Sequence, residues 1–192
     1  MSYSIYAEST PNPEVMKFVS NKLLWEQSLE IKSAEEARGI PLAKELFKFP
    51  FIKSLYLNKN FIAITKHENV KWEDFALQLR EYISGFLNNI KQEDIKNNIE
   101  LNIEENNKIK KKEKVFSDKE KEIINILNEY IAPAIEADGG SITLESYSEN
   151  KVYVNLSGAC NGCPSATSTL KQGVETLLRQ KVNENIIVIS NQ

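Results

Sequence analysis

The chain has 192 residues, of which 41% are hydrophobic and 27% charged, a composition typical of an ordinary soluble protein. Its formal net charge of −3 is too small to indicate a nucleic-acid or membrane-surface partner, and no apolar run approaches the roughly 20 residues that span a bilayer. The N-terminal residues have neither the basic and apolar regions of a secretory signal nor the Arg-rich pattern of a transit peptide, so we expect a cytoplasmic protein.

The first 88 residues have the pattern of a small α+β domain. A turn is predicted at Thr10–Pro13, because its two prolines fix φ and restrict the residues before them. A helix is predicted at Pro41–Phe47, where proline suits the first turn, and a longer one over Trp72–Ile90, where apolar residues recur at helical spacing. The predicted strands are 2–7, 15–19, 23–31, 52–57 and 61–65, the last two forming a hairpin.

The composition changes at residue 89, where a stretch rich in Lys, Glu and Asn begins. Its helical pattern is weakened by paired asparagines. The basic cluster Lys108–Lys114 is flanked by acidic residues and has no aromatic residues between its charges, which favours a solvated linker over a nucleic-acid site. We therefore predict a first domain at 1–88, a charged and partly helical linker at 89–116, and a second domain at 117–192.

The second domain also has an α+β pattern. Ser117 and Glu120 have the spacing of a capping box before an apolar helix. Asp138–Gly140 ends that helix, because glycine tolerates left-handed backbone, and we interpret this segment as a turn rather than as a set of ligands. The remaining predicted elements are a hairpin of strands 142–147 and 152–156, a helix over 164–181 and a last strand over 186–189.

The two cysteines, Cys160 and Cys163, form a CxxC motif between a predicted strand and a predicted helix. Pro164 suits the first helical turn, which places Cys163 near the N-cap, where backbone N–H groups and the helix dipole favour the thiolate that binds metals. Gly158 and Gly162 allow the backbone to bend around a metal cluster. In a reducing compartment this motif indicates metal binding or redox chemistry.

The number of available ligands points to a dimer. An iron–sulfur cluster takes four thiolates and a structural zinc ion takes four ligands, but one chain offers two cysteines. The single histidine, His67, lies in the other predicted domain, where we expect a solvated loop residue. The simplest complete site is a homodimer in which each chain contributes Cys160 and Cys163. A cluster held between subunits near a surface loop is easier to release than one in a single core, which suits a carrier.

Two parts of the chain resemble known family signatures. Residues 133–182, with PAIEADGGSITLESY and VYVNLSGACNGCPSATSTLK, resemble the C-terminal cluster-binding domain of the NifU family, which pairs an ADGG turn with GxCxxCP-S. Residues 9–87, beginning STPNPEVMKFV, resemble the N-terminal domain of the Nfu subgroup. The family commonly has an acidic residue after ADGG, where this chain has Ser141, and we expect that difference to tune rather than abolish function.

The resemblance implies an iron–sulfur cluster scaffold or carrier and not an enzyme. It implies a cluster, usually [4Fe-4S] rather than [2Fe-2S], bridged by Cys160 and Cys163 of two subunits, obtained from upstream assembly machinery and transferred to apo iron–sulfur proteins. The N-terminal domain is assigned, by resemblance, to partner recognition or to placing the cluster domain. Two other classes stay open: a thioredoxin-like thiol–disulfide oxidoreductase, for which this chain has too few strands after the helix, and a zinc-bridged interaction module.

Overall fold

A computed structural model describes residues 2–90, 116–161 and 164–191, with the backbone alone for 164–167 and 191. The chain divides into two compact units, Met1–Glu113 and Lys114–Gln192. Each unit combines helices with one β-sheet and has its own hydrophobic core, which confirms the predicted α+β class with two small domains. The predicted linker at 89–116 lies outside the described residues except at its ends, so its boundaries stay a prediction.

The N-terminal unit is built on a five-stranded antiparallel sheet with the order β1-β2-β5-β4-β3. Its strands are β1 Ile5–Ser9, β2 Val15–Ser20, β3 Leu29–Ile31, β4 Ile52–Asn58 and β5 Phe61–Lys66. The helices α1, Pro41–Leu46, and α2, Trp72–Asn89, contribute to one core together with Phe18, Ile62 and Leu55 of the sheet. The helical stripe predicted over Trp72–Ile90 is therefore core packing, since Leu79, Ile83 and Leu87 are buried.

The strand predicted at 23–31 is shortened to Leu29–Ile31. Leu24 and Trp25 do not join the sheet, because both of their backbone N–H groups donate to the carbonyl oxygen of Lys59 in the β4–β5 turn, at 2.9 and 2.8 Å. Their side chains are buried all the same. The predicted strand is thus correct only at Leu29–Ile31, and the burial of Leu24 and Trp25 comes from packing of a loop rather than from strand pairing.

The Thr10–Pro13 turn is confirmed and is fixed by side-chain hydrogen bonds. The Thr10 hydroxyl donates to the Val15 carbonyl at 3.0 Å, and the Asn12 side-chain oxygen accepts the Glu14 N–H at 3.0 Å. The indole N–H of Trp72 donates to the Pro13 carbonyl at 3.2 Å, which ties the turn to the start of α2. The motif is thus accounted for by local structure.

The face of the sheet that bears Ala63 also carries buried side chains outside the core cluster, among them Tyr56 and Phe61. Lys17 pairs with Ala63 across β2 and β5, which places it on this face. Its ammonium nitrogen lies 4.8 Å from the centroid of the Phe61 ring and 3.5 Å from a carboxylate oxygen of Glu8. These contacts offset the cost of burying its charge.

The C-terminal unit begins with helical segments and continues into a three-stranded sheet with the order β6-β7-β8. Its elements are α3 Asp118–Ile126, a π-helical segment Leu127–Ile131, α4 Ala132–Ala137, β6 Gly140–Ser148, β7 Lys151–Gly158, α5 Pro164–Lys181 and β8 Ile187–Asn191. The capping box is confirmed: the Ser117 hydroxyl accepts the Glu120 N–H at 3.3 Å, and the Glu120 carboxylate accepts the Ser117 N–H at 2.9 Å. β7 and β8 are parallel, with α5 between them in the chain.

The helix predicted to continue as far as Asp138 is interrupted by the π-helical segment Leu127–Ile131. Pro133 lies in the first turn of α4 and has no N–H to give to the preceding turn, which accounts for the wider turn before it. The segment exposes Tyr130, whose ring lies 4.1 Å from the Lys181 ammonium nitrogen. Among the described helices, none is long and apolar enough to cross a membrane.

Candidate metal centre

The Cys160 loop follows β7 and lies beside the turn that ends α4. β6 and β7 pair in antiparallel register, with Gly140 opposite Gly158 and Ser141 opposite Ser157. This register brings the Asp138–Gly140 turn next to Cys160, although the two motifs are separated by a whole hairpin in the sequence. The fold thus joins two motifs that the sequence presents separately.

The predicted helix-ending turn at Asp138–Gly140 is confirmed. Gly139 has a φ of 83°, and its N–H donates to the Glu136 carbonyl at 3.1 Å, as expected of a glycine that follows a helix. The Gly139 carbonyl accepts the Ala159 N–H at 3.1 Å, which ties the turn to the residue before Cys160. Asp138 is exposed. The turn therefore supports the cysteine loop through its backbone.

The loop itself bends at Gly158, which has a φ of 65°. Such a left-handed conformation is accessible to glycine with little strain. The Asn161 N–H donates to the Gly158 carbonyl at 3.0 Å and closes a tight turn around Cys160. The predicted role of Gly158 in bending the backbone is thus supported.

The Cys160 side chain lies in the core rather than on the surface expected for the loop. It is 7% exposed and belongs to the same buried cluster as Ile123, Ile142 and Val188. Its sulfur faces the backbone of Gly140, where a Cβ atom added to that glycine would lie 2.5 Å from Sγ. A buried sulfur packed against a glycine is a feature that the motif spacing alone does not indicate.

The other predicted ligand, Cys163, lies outside the described residues, so the pairing of Cys160 with Cys163 stays a prediction. Pro164 begins α5, as predicted from its suitability for a first helical turn. His67 is exposed and belongs to the N-terminal unit. Within residues 2–90, 116–161 and 164–191, no three His, Cys, Asp or Glu side chains are grouped so that they could hold a metal ion.

Two family models match the chain in the order of its two units. The model described as the scaffold protein Nfu/NifU N terminal matches residues 5–90, and the NifU-like domain model matches residues 123–189. Both matches fall on the segments whose turn, sheet and cysteine-loop geometry is described above. The chain belongs to the Nfu/NifU family.

The similarity to other proteins extends over almost the whole chain. The NFU1 iron-sulfur cluster scaffold homolog, mitochondrial, of Drosophila willistoni is 33% identical over 187 residues, which cover 94% of this chain and 61% of the relative. NifU-like protein 4, mitochondrial, of Arabidopsis thaliana is 29% identical and covers 94% of this chain and 63% of its own. The NFU1 homolog of Homo sapiens is 27% identical, with 94% and 68% covered. The chain therefore spans less than two thirds of the length of the first two relatives.

Proposed function

We propose that this protein is an iron–sulfur cluster scaffold or carrier, and not an enzyme, whose cargo is ligated by Cys160 and Cys163. The contact between the Asp138–Gly140 turn and the Cys160 loop carries the proposal, because two distant motifs combine to fix the position of one thiol. Membership of the Nfu/NifU family supports the same function, and so do the names of the Drosophila and human relatives, which are called iron-sulfur cluster scaffold homologs.

The proposed cargo is a cluster shared between two copies of the chain. A [4Fe-4S] or [2Fe-2S] cluster takes four thiolates, and each chain contains two cysteines. A homodimer with Cys160 and Cys163 from both subunits completes the ligand set, and the family resemblance favours [4Fe-4S]. Upstream assembly machinery would supply the cluster.

Transfer to an apo iron–sulfur protein would proceed by ligand exchange. An incoming thiol of the recipient forms a new iron–sulfur bond as the bond to Cys160 or Cys163 breaks, and its proton passes to the departing thiolate. Repetition of this exchange moves the cluster without a change in its oxidation state. We assign the N-terminal unit to recognition of partners or to placing the cluster-binding unit.

Anaerobic reconstitution with iron and sulfide tests this function. We expect the wild type to bind about four iron and four sulfide per dimer if the cluster is [4Fe-4S]. Cys160→Ala and Cys163→Ala should each lose the cluster absorption. Ser148→Ala, at the exposed far end of the β6–β7 hairpin, is the matched control and should load like the wild type.

The possible results separate the proposal from its rivals. Absence of iron and sulfide uptake by the wild type, or equal uptake by the cysteine variants, would overturn the proposal. A monomer that retains a complete cluster would contradict the shared site. Reduction of an insulin disulfide without cluster uptake would indicate an oxidoreductase, and dimerisation by zinc alone would indicate a zinc-bridged module.

The cellular compartment in which this protein works is also a matter for experiment. The sequence predicts a cytoplasmic protein, whereas the relatives carry the word mitochondrial in their names. Fractionation of the source cells, followed by detection of the native protein in each fraction, decides between the two locations.

A further inference from the structure

Among the residues that the structure describes, three glycines lie next to Cys160, and the reason for having glycine differs between them. Gly139 and Gly158 have φ angles of 83° and 65°, so their backbone conformations disfavour any other residue. Gly140 is not among the described residues with positive φ. Its backbone can accept other residues, so a reason for glycine at this position has to come from the space around it.

That space is occupied by atoms of Cys160 and Ser157. A Cβ atom added to Gly140 would lie 2.5 Å from the Cys160 sulfur, 2.9 Å from the Ser157 carbonyl oxygen and 3.1 Å from the Cys160 backbone nitrogen. A separation of 2.5 Å is far shorter than the van der Waals contact distance of about 3.5–4.0 Å. Two of the three neighbouring atoms belong to the backbone, so rotation of a side chain does not relieve every clash.

The loop has little freedom to move away. The Ala159 N–H is bonded to the Gly139 carbonyl, and the Asn161 N–H is bonded to the Gly158 carbonyl, so both neighbours of Cys160 are held by hydrogen bonds. The Cys160 side chain is 7% exposed and packs in the core of the C-terminal unit. A side chain at position 140 would therefore meet a loop that is held on both sides of Cys160.

We propose that Gly140 is a positioning residue for Cys160, and that the absence of a side chain at position 140 holds the thiol inside the core. The inference deepens the proposed function, on which it rests, because it identifies what sets the position of one of the two proposed ligands. An alanine at position 140 displaces the sulfur from this space and makes it more accessible to reagents. The inference assigns no ligand role to Gly140.

The reactivity of the thiol tests the inference without iron. In a Cys163→Ser background Cys160 is the one thiol in the chain, and its rate of alkylation by iodoacetamide is measured at fixed pH. We expect Gly140→Ala to raise the rate about tenfold, the factor that corresponds to about 1.4 kcal/mol of overpacking strain. Gly173→Ala is the matched control, because nothing lies within 4 Å of a Cβ added there, and its rate should be unchanged.

A second measurement separates positioning from general destabilisation. The Tm of the C-terminal unit is compared for Gly140→Ala with Cys160 present and with Cys160→Ala. If the sulfur is the critical neighbour, its removal should reduce the loss of Tm that Gly140→Ala causes. If Gly140→Ala alone does not fold, recovery of the folded unit in the double variant supports the inference.

Any of four results overturns the inference. The alkylation rate can stay unchanged in Gly140→Ala, it can rise only in proportion to the globally unfolded fraction, or the loss of Tm can be equal with and without the sulfur. Failure of both the single and the double variant to fold would likewise overturn it, since backbone clashes would then dominate. If the wild type binds no iron and sulfide while alkylation rises as expected, the proposed function fails and the positioning role of Gly140 stands.

Discussion

Replacing Gly139 by alanine should destabilise the C-terminal unit through the backbone alone. Gly139 has a φ of 83°, and an L-residue in left-handed conformation costs about 1–2 kcal/mol. For a domain of this size, each kcal/mol lowers Tm by about 4–8 °C. Because Gly139 also accepts the Ala159 N–H at 3.1 Å, a change in its φ disturbs the cysteine loop as well.

The positions of the two tryptophans allow the effect of Gly139→Ala to be assigned to one of the two units. The two tryptophans, Trp25 and Trp72, both lie in the N-terminal unit, so tryptophan fluorescence follows that unit and far-UV circular dichroism follows both. Because each unit has its own core, we expect Gly139→Ala to shift the circular dichroism transition of the C-terminal unit and to leave the fluorescence transition unchanged.

Gly173→Ala should change the stability of the C-terminal unit in the opposite direction and raise its Tm. Gly173 is exposed inside α5, a Cβ added there meets nothing within 4 Å, and replacing glycine by alanine in a helix stabilises it by about 0.5–1 kcal/mol. A change of Tm in the same direction for the two variants, or no effect of Gly139→Ala on the circular dichroism transition, would contradict this prediction.

Three further predictions concern local contacts in the two units. Ser117→Ala removes the capping box of α3 and should lower the free energy of unfolding of the C-terminal unit by about 1 kcal/mol. The change should be seen in circular dichroism and not in tryptophan fluorescence. Equal stability of the variant and the wild type would show that the cap contributes nothing. Leu79→Ala, at a fully buried position of α2, should cost about 2–5 kcal/mol and shift tryptophan fluorescence, whereas the exposed Leu77→Ala should not. Hydrogen bonds from Lys48 and, to a lesser extent, from Tyr82 lower the pKa of the Glu45 carboxyl group. Glu45→Gln should therefore reduce the stability of the N-terminal unit at neutral pH, and this loss should disappear as the pH falls through the lowered pKa. A loss of stability that is constant from neutral to acid pH would contradict the prediction.

The sequence predicts elements well where a local pattern determines them. The capping box at Ser117, the proline start of α1 and the long apolar stripe of α2 all depend on residues within a few positions of each other. The turn of the β6–β7 hairpin is similar, because Glu149 and Asn150 adopt φ angles of 49° and 61° in a two-residue connection.

Prediction fails where distant contacts decide the outcome. The segment 23–31 contains apolar residues that suit a strand, but the Lys59 carbonyl accepts the Leu24 and Trp25 N–H groups, and only Leu29–Ile31 joins the sheet. A second failure has a local cause: the apolar stripe of the helix that leads toward Asp138 predicts no interruption, but Pro133 has no N–H to give to the preceding turn.

The contact between Gly140 and Cys160 depends on a feature of the β6–β7 hairpin that the sequence does not signal. Counting outward from the turn with the Ser148–Lys151 pair would place Gly140 opposite Ala159. A register shift between Leu144 and Ser146 places it opposite Gly158 instead. Glycine faces glycine as a result, and the backbone of the Asp138–Gly140 turn can approach the cysteine loop closely.

This register gives a structural reason for the Asp138–Gly140 turn and the Gly158–Cys160 segment to belong to one motif, although their glycines offer no metal ligand. The Asp138–Gly140 turn and the Gly158–Cys160 segment form one structural unit across β6 and β7, joined by the bond from Ala159 N–H to the Gly139 carbonyl. A substitution in the Asp138–Gly140 turn or in the Gly158–Cys160 segment is therefore expected to act on the same thiol. The reason for glycine differs between these positions: at Gly139 and Gly158 it is the positive φ, and at Gly140 it is the space taken by the Cys160 sulfur and by neighbouring backbone atoms.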